Sequence, residues 1–286
     1  MFNAANIITG FNLLFGVGSI IMTFSGRIEL AVLAIFVGAI CDFADGFVAR
    51  LTKKQSELGK QLDSLADLVT FGVAPGVIVF VLLIISGAWD IISVNGGSFN
   101  DLWFEGTFGH NVNYWTSVYF NDLVGNMNVT YPPHFTGWYL FLPFIGLLIP
   151  FFSLFRLAKF NLDERQSTGF IGLPTPANSL FFASFALVLW DGFGEGDWKT
   201  VLSMTLIKDQ VLMSLVVIFS ILTVSELPLF SLKFSSFKWK ENIIRYLFLL
   251  MSAILILTLW VWSLPVIVIL YIIMSVVNNQ FRKSTR

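Results

Sequence analysis

Four aspartates recur at helical spacing between residues 42 and 67. The stretch reads D-F-A-D-G-F-V-A-R from Asp42 to Arg50, then eight residues, then G-K-Q-L-D-S-L-A-D from Gly59 to Asp67. Asp42 and Asp45 are three apart and Asp63 and Asp67 four apart, so each pair shares one face of its helix. The intervening L-T-K-K-Q-S-E-L is mostly polar and long enough for the second helix to turn back antiparallel to the first, which gathers all four carboxylates. Ionised carboxylates crowded in a partly desolvated place repel, and protons or cations relieve the repulsion. Oxygen ligands select hard divalent ions, Mg2+, Mn2+ or Ca2+. Mg2+ is commonly held by a few carboxylates together with substrate phosphates, so the pattern points to diphosphate chemistry.

The elements that position these groups must be membrane helices. The chain has 286 residues, 56% hydrophobic and 12% charged, with 31 Phe and 9 Trp, and its mean hydropathy is +0.79. That is more apolar surface than a soluble domain can cover. Apolar runs of about 20 residues span a bilayer as helices. We place eight, at roughly 5–25, 29–50, 62–87, 137–159, 173–191, 209–227, 244–260 and 264–280. The predicted fold is an all-α polytopic bundle forming one integral membrane domain. The last two spans form a hairpin turning at W-V-W-S-L-P, with Trp260, Trp262 and Pro265 suited to a membrane interface. No basic segment precedes a cleavable signal, so the first apolar run is expected to stay as a helix.

Charge asymmetry orients the bundle. With the loop at Lys53 and Lys54 cytoplasmic, alternate connections leave only Arg27, Lys199 and Lys208 of the 17 Lys and Arg outside. Both termini and the aspartates then face the cytoplasm of a cell (inner) membrane. Residues 88–136 contain no Lys or Arg and read as an extracytoplasmic loop long enough for a small lid or hairpin. His110 and His134 there lack metal-ligand spacing, and Asn-Val-Thr at 128–130 fits a glycosylation acceptor by pattern only. The one cysteine, Cys41, excludes an intrachain disulfide and reads as helix packing beside Asp42.

The complete pattern D-x2-D-G-x2-A-R-x8-G-x3-D-x3-D resembles the signature of the CDP-alcohol phosphotransferase family. Asp42, Asp45, Gly46, Ala49, Arg50, Gly59, Asp63 and Asp67 fill it without a departure. The resemblance implies that a CDP-linked lipid loses CMP as an acceptor hydroxyl attacks phosphorus. It implies two divalent ions, Mg2+ or Mn2+, on Asp42, Asp45, Asp63 and Asp67, with Asp67 as general base. Gly46, Ala49 and Gly59 are small enough to let a nucleotide approach the backbone, and Arg50 suits a diphosphate oxygen. Arg50 equally fits a snorkelling cation at a helix end. Asn6, Thr9 and Asn12 recur at threes on the first helix; they suit a stripe facing the CDP-diacylglycerol pocket, or interhelical hydrogen bonds.

Three further stretches resemble the phosphatidylserine synthase branch of that family: L-D-S-L-A-D-L-V-T-F-G-V-A-P from Leu62, F-R-L-A-K-F-N from Phe155 and F-I-G-L-P-T-P-A from Phe170. Lys159 stands where the branch often has Arg. The acceptor implied is L-serine, its carboxylate neutralised by Arg156 with Lys159 and its ammonium or hydroxyl taken by Asn161; all three also fit as positive-side anchors and polar helix ends. Gly172, Pro174 and Pro176 shape a helix entry. The likeness covers roughly residues 1–190. Competing readings are the same chemistry on glycerol 3-phosphate or inositol phosphate, which needs more cationic groups, and a divalent-cation channel or transporter, whose acids belong nearer the bilayer midplane. No nucleic acid is expected as a partner, and a homodimer is compatible because related transferases are commonly dimers.

Overall fold

The structure, a computed structural model, describes residues 3–52, 56–97, 99–103, 107–125, 135–163, 170–193, 198–231 and 238–284. The chain begins with α1 (Ala4–Phe24) and α2 (Ile28–Leu51), an antiparallel pair. Asn3 caps α1 by accepting the Asn6 amide at 2.8 Å. α1 is inverted relative to a helix in water: its inward face is small or polar, with Thr9, Asn12, Gly16, Ser19 and Thr23 buried, while Leu14 and Ile21 are exposed. Lipid is as apolar as Leu, so close packing and hydrogen bonding decide which face turns inward.

α3 (Glu57–Asp67) starts on the Ser56 cap, whose hydroxyl accepts the Gly59 amide at 3.1 Å. It runs through one π-helical turn, Leu68–Val73, into α4 (Ala74–Val94). Pro75 explains that turn: it has no amide to offer the preceding turn and its ring crowds the carbonyl four residues back, so the helix widens locally. The Ala74 amide reaches the Val69 carbonyl, five residues back. Thr70 sits at the centre of the turn and donates to the Asn12 carbonyl at 2.9 Å. α1 and α2 approach it through glycines. A Cβ on Gly16 would lie 2.4 Å from Thr70 Oγ1, and one on Gly38 would lie 2.6 Å from Thr70 Cγ2.

α5 (Phe99–Leu102) and α6 (Phe108–Leu123) follow, and short 3-10 turns at Gly137–Leu140 and Leu142–Leu147 lead into α7 (Leu148–Leu162). Within the predicted connection at 88–136, the described residues include a packed helix, α6. α6 buries Val112, Trp115 and Tyr119. The Trp115 indole donates to the Leu102 carbonyl at 2.9 Å, and the Tyr119 hydroxyl donates to the Leu140 carbonyl at 2.7 Å. Burial pushes that phenol up to about 12, so it stays a donor. His134 and residues 128–130 lie outside the described residues, as do Lys53 and Lys54.

A two-residue strand β1 (Phe170–Ile171) precedes α8 (Thr175–Asp191), α9 (Trp198–Leu206) and α10 (Asp209–Val224). β1 pairs antiparallel with β2 (Pro228–Leu229), Phe170 opposite Leu229. Gly172 holds φ +77, and a Cβ there would lie 2.4 Å from the Thr223 carbonyl. This close turn ties the entry of α8 to the end of α10. α11 (Trp239–Leu259) and α12 (Ser263–Ser284) fold back on each other, bringing the rings of Phe248 and Tyr271 to 5.8 Å.

All eight predicted spans fall on helix. Among the described residues, five stretches are long and apolar enough to cross a membrane: Ala4–Phe24, Ile28–Leu51, Glu57–Val94, Gly137–Leu162 and Asn242–Gln280. A sixth arises if α9 and α10, bent by 55°, count as one span. The discrepancy has two sources. α8 has only 17 residues and α10 only 16, and Asn242–Gln280 contains both α11 and α12, which the sequence reading counts separately.

Candidate metal and nucleotide site

The antiparallel return of α3 against α1 and α2 brings carboxylates from both halves of the motif together. One carboxylate oxygen each from Asp42, Asp63 and Asp67 lies within 4.8 Å of the others. Asp42 and Asp63 are in hydrogen-bonding contact, and Asp63 Oδ1 is buried with no hydrogen-bond partner among the described residues. Oxygens sharing one hard divalent ion stand roughly 4 to 5 Å apart at most, twice the metal–oxygen distance. The donor set, its spacing and the orphaned Asp63 oxygen therefore fit such an ion.

Asp45 stands apart from this triangle. Its carboxylate accepts the Thr9 hydroxyl, yet it feels the charge of Asp63 and lines the same cleft. Asp67, 9% exposed, accepts from the Asn12 side-chain amide at 3.0 Å. The π-helical turn begins at the next residue, Leu68. Single π turns of this kind are frequent at functional sites.

The cleft measures about 220 Å3 and is lined by Ala5, Asn6, Thr9, Asp45, Gly46, Ala49, Arg50, Ser56, Gly59, Lys60 and Asp63. The structure thus assembles in one cavity all six residues expected to face the nucleotide-linked lipid: Asn6, Thr9, Gly46, Ala49, Arg50 and Gly59. Gly46 faces open space there, since a Cβ would meet nothing nearer than Arg50 Nη1 at 3.8 Å. Gly59 is tighter: a Cβ would lie 3.3 Å from Asn6 Oδ1.

The residues expected at an acceptor site separate. Arg156, 7% exposed, interacts electrostatically with Asp67, Asp42 and Tyr271. It donates to Thr175 Oγ1 at 3.3 Å and lies 5.0 Å from the centre of the Phe160 ring. Asn161 donates to Ser64 Oγ at 2.8 Å, bridging α7 to the helix of Asp63 and Asp67. Lys159 is instead in an ion pair with Glu226.

Several groups at this centre escape sequence reasoning. Thr175 holds Arg156 in place, and Tyr271 reaches its vicinity from α12, within a region that reads only as hydrophobic. Ser153 and Asn178 are fully buried, one helical turn from Arg156 and Thr175 respectively. Neither side chain has a hydrogen-bond partner among the described residues. A buried polar side chain without a partner is rare enough to mark a binding surface for water or ligand. The one advance signal was the spacing of Asn6, Thr9 and Asn12, which put Asn12 on the correct face.

A multi-pass helical membrane protein with a carboxylate cluster beside a small-residue cleft is the class that these features define. Residues 2–96 match the CDP-alcohol phosphatidyltransferase family. Among curated proteins, it is 29% identical to the CDP-diacylglycerol–serine O-phosphatidyltransferase of Bacillus subtilis (strain 168) over 57% of this chain and 60% of that protein. It is 56% identical to the protein of that name from Saccharomyces cerevisiae, over 17% of each. With the one from Helicobacter pylori (strain 26695) it shares 24% identity over 96% of this chain and 90% of the relative. The chain thus covers less than two thirds of the first two relatives' length.

Proposed function

We propose that this chain makes phosphatidylserine from CDP-diacylglycerol and L-serine, releasing CMP, with its active site on the cytoplasmic side of the cell membrane. One observation carries the reading: the Asp42–Asp63–Asp67 triangle adjoins the cleft at Gly46 through Asp63 and interacts with the buried guanidinium of Arg156 through Asp67 and Asp42. That arrangement gives a diphosphate one side to bind and an acceptor the other. The names of the relatives support the choice of substrates.

In this reading Asp42, Asp63 and Asp67, with Asp45 beside them, would hold two divalent ions, Mg2+ or Mn2+. Such ions would supply positive charge against the diphosphate and against the charge developing on the leaving CMP. Asn6, Thr9, Gly46, Ala49 and Gly59 shape the nucleotide cleft, and Arg50 takes a diphosphate oxygen. The serine oxygen bonds to the phosphorus carrying the diacylglycerol, the bond from that phosphorus to the CMP oxygen breaks, and the hydroxyl proton passes to Asp67. Asn12 orients the Asp67 carboxylate by donating to one of its oxygens.

Arg156 receives the serine carboxylate, and the unpartnered Ser153 and Asn178 are placed to meet its remaining polar groups. Lys159 and Asn161 frame the site through Glu226 and Ser64 rather than through the acceptor. One guanidinium beside Asp67 suits a singly charged carboxylate, whereas glycerol 3-phosphate or inositol phosphate asks for more positive charge. The test is purified protein with CDP-diacylglycerol, Mg2+ or Mn2+, and radiolabelled serine, glycerol 3-phosphate or inositol phosphate in parallel. Labelled lipid and CMP are expected in equal amounts with serine alone. Label from another acceptor with none from serine overturns the assignment.

A further inference from the structure

The groups discussed above gather near the Thr175 end of α8. At its other end, Asp191, a second cavity of about 430 Å3 opens between α9 and the turn joining α11 to α12. From Thr175 to Asp191 the helix rises about 24 Å, close to the roughly 30 Å of a bilayer's hydrocarbon core. That separation suits a cavity at the membrane–water boundary opposite the aspartates.

Tryptophans are common at that depth, but three features here go beyond an aromatic anchor. Asp191 and Lys199 form an ion pair at 3.3 Å, with side chains 21% and 30% exposed, and both line the cavity. Asp191 is held further by the Trp262 indole N–H at 2.8 Å. Trp260 adopts φ +51, a conformation non-glycine residues seldom take; its exposed side chain lines the cavity, as do Trp198 and Trp262, whose rings lie 5.8 Å apart. Strained backbone of this kind concentrates at ligand sites.

A positive and a negative group side by side beneath exposed indoles complement a ligand with both charges on one short link. We propose that this cavity binds the headgroup of a zwitterionic, amine-bearing phospholipid from the surrounding bilayer. Its phosphate meets Lys199. Its ammonium meets Asp191 and the indole faces of Trp198 and Trp260, which attract cations. Leu202 from α9 and Leu259 from α11, which also line the cavity, receive the start of the acyl chains. The site is independent of the group transferred at the aspartates.

The experiment is native mass spectrometry of the full-length protein titrated with dioleoyl phosphatidylethanolamine or dioleoyl phosphatidylglycerol. The wild type, Lys199→Met and Trp198→Ala are compared, with melting temperatures alongside. The wild type is expected to bind phosphatidylethanolamine at least tenfold more tightly than phosphatidylglycerol, and each variant to lose at least fivefold of that affinity. Trp198→Ala removes a rim side chain, so it reads the site even if the lysine variant melts early. Equal binding of the two lipids by the wild type overturns the proposal, and so does unchanged affinity in Trp198→Ala.

Discussion

Replacing Arg156 by Met tests the acceptor side of the site most directly. Arg156 is 7% exposed, so a carboxylate meeting it does so out of water, where a hydrogen bond to a charged group contributes about 1.5 to 3 kcal/mol. At about 1.4 kcal/mol per decade, its loss raises the serine KM roughly 10- to 150-fold. The CDP-diacylglycerol KM should move less than threefold, because Arg156 does not line the cleft at Gly46. Removing one partner from a buried set of charges also costs stability, on the order of 3–5 kcal/mol. Melting is therefore compared with Mn2+ present, since a cation on the aspartates offsets the missing positive charge. Arg156→Lys keeps the charge but not the planar fork that reaches Thr175, and should fall between the two. The assay is radiolabelled serine incorporation in mixed micelles, varying each substrate at saturation of the other. A serine KM within twofold of wild type, or equal rises in both KM values, refutes the carboxylate contact.

Three other outcomes follow from the geometry. Gly46→Leu should melt like the wild type, because a side chain there enters open space, yet raise the CDP-diacylglycerol KM at least tenfold with little change for serine; unchanged kinetics would remove that cleft as the donor site. Asn12→Leu takes away the amide that orients Asp67 and should lower kcat by roughly 10- to 150-fold, the worth of a hydrogen bond to a charged group, while Mn2+ affinity by calorimetry changes less than threefold. Gly38→Ala should destabilise by about 1–3 kcal/mol through overpacking against Thr70 Cγ2, and Thr70→Ser should restore its melting temperature by removing that methyl. The same rescue should fail for Gly16→Ala, whose Cβ also lies 2.8 Å from the Thr70 backbone.

Helical spacing is a local property, and whatever depends on it was legible without coordinates. The pairing of Asp42 with Asp45 and of Asp63 with Asp67, the small residues that line one cleft, the polar stripe on α1 and the helices themselves all follow from periods of three and four along an apolar chain. Which residues meet across helices depends on how those helices cross and where they bend. That is why Asp45 bonds Thr9 while Asp42 joins Asp63 and Asp67, and why Asn12 reaches Asp67. It is also why Tyr271 on α12 comes near Arg156. Residues 88–136 show the same limit: the sequence allowed a small structure of their own there, and only the fold shows that α6 packs as a helix, with Tyr119 bonded to the carbonyl of Leu140. Spacing along the chain chose the chemistry. The packing of α1, α2 and α3, with glycines of two helices against Thr70, decided which carboxylates came within reach of one another.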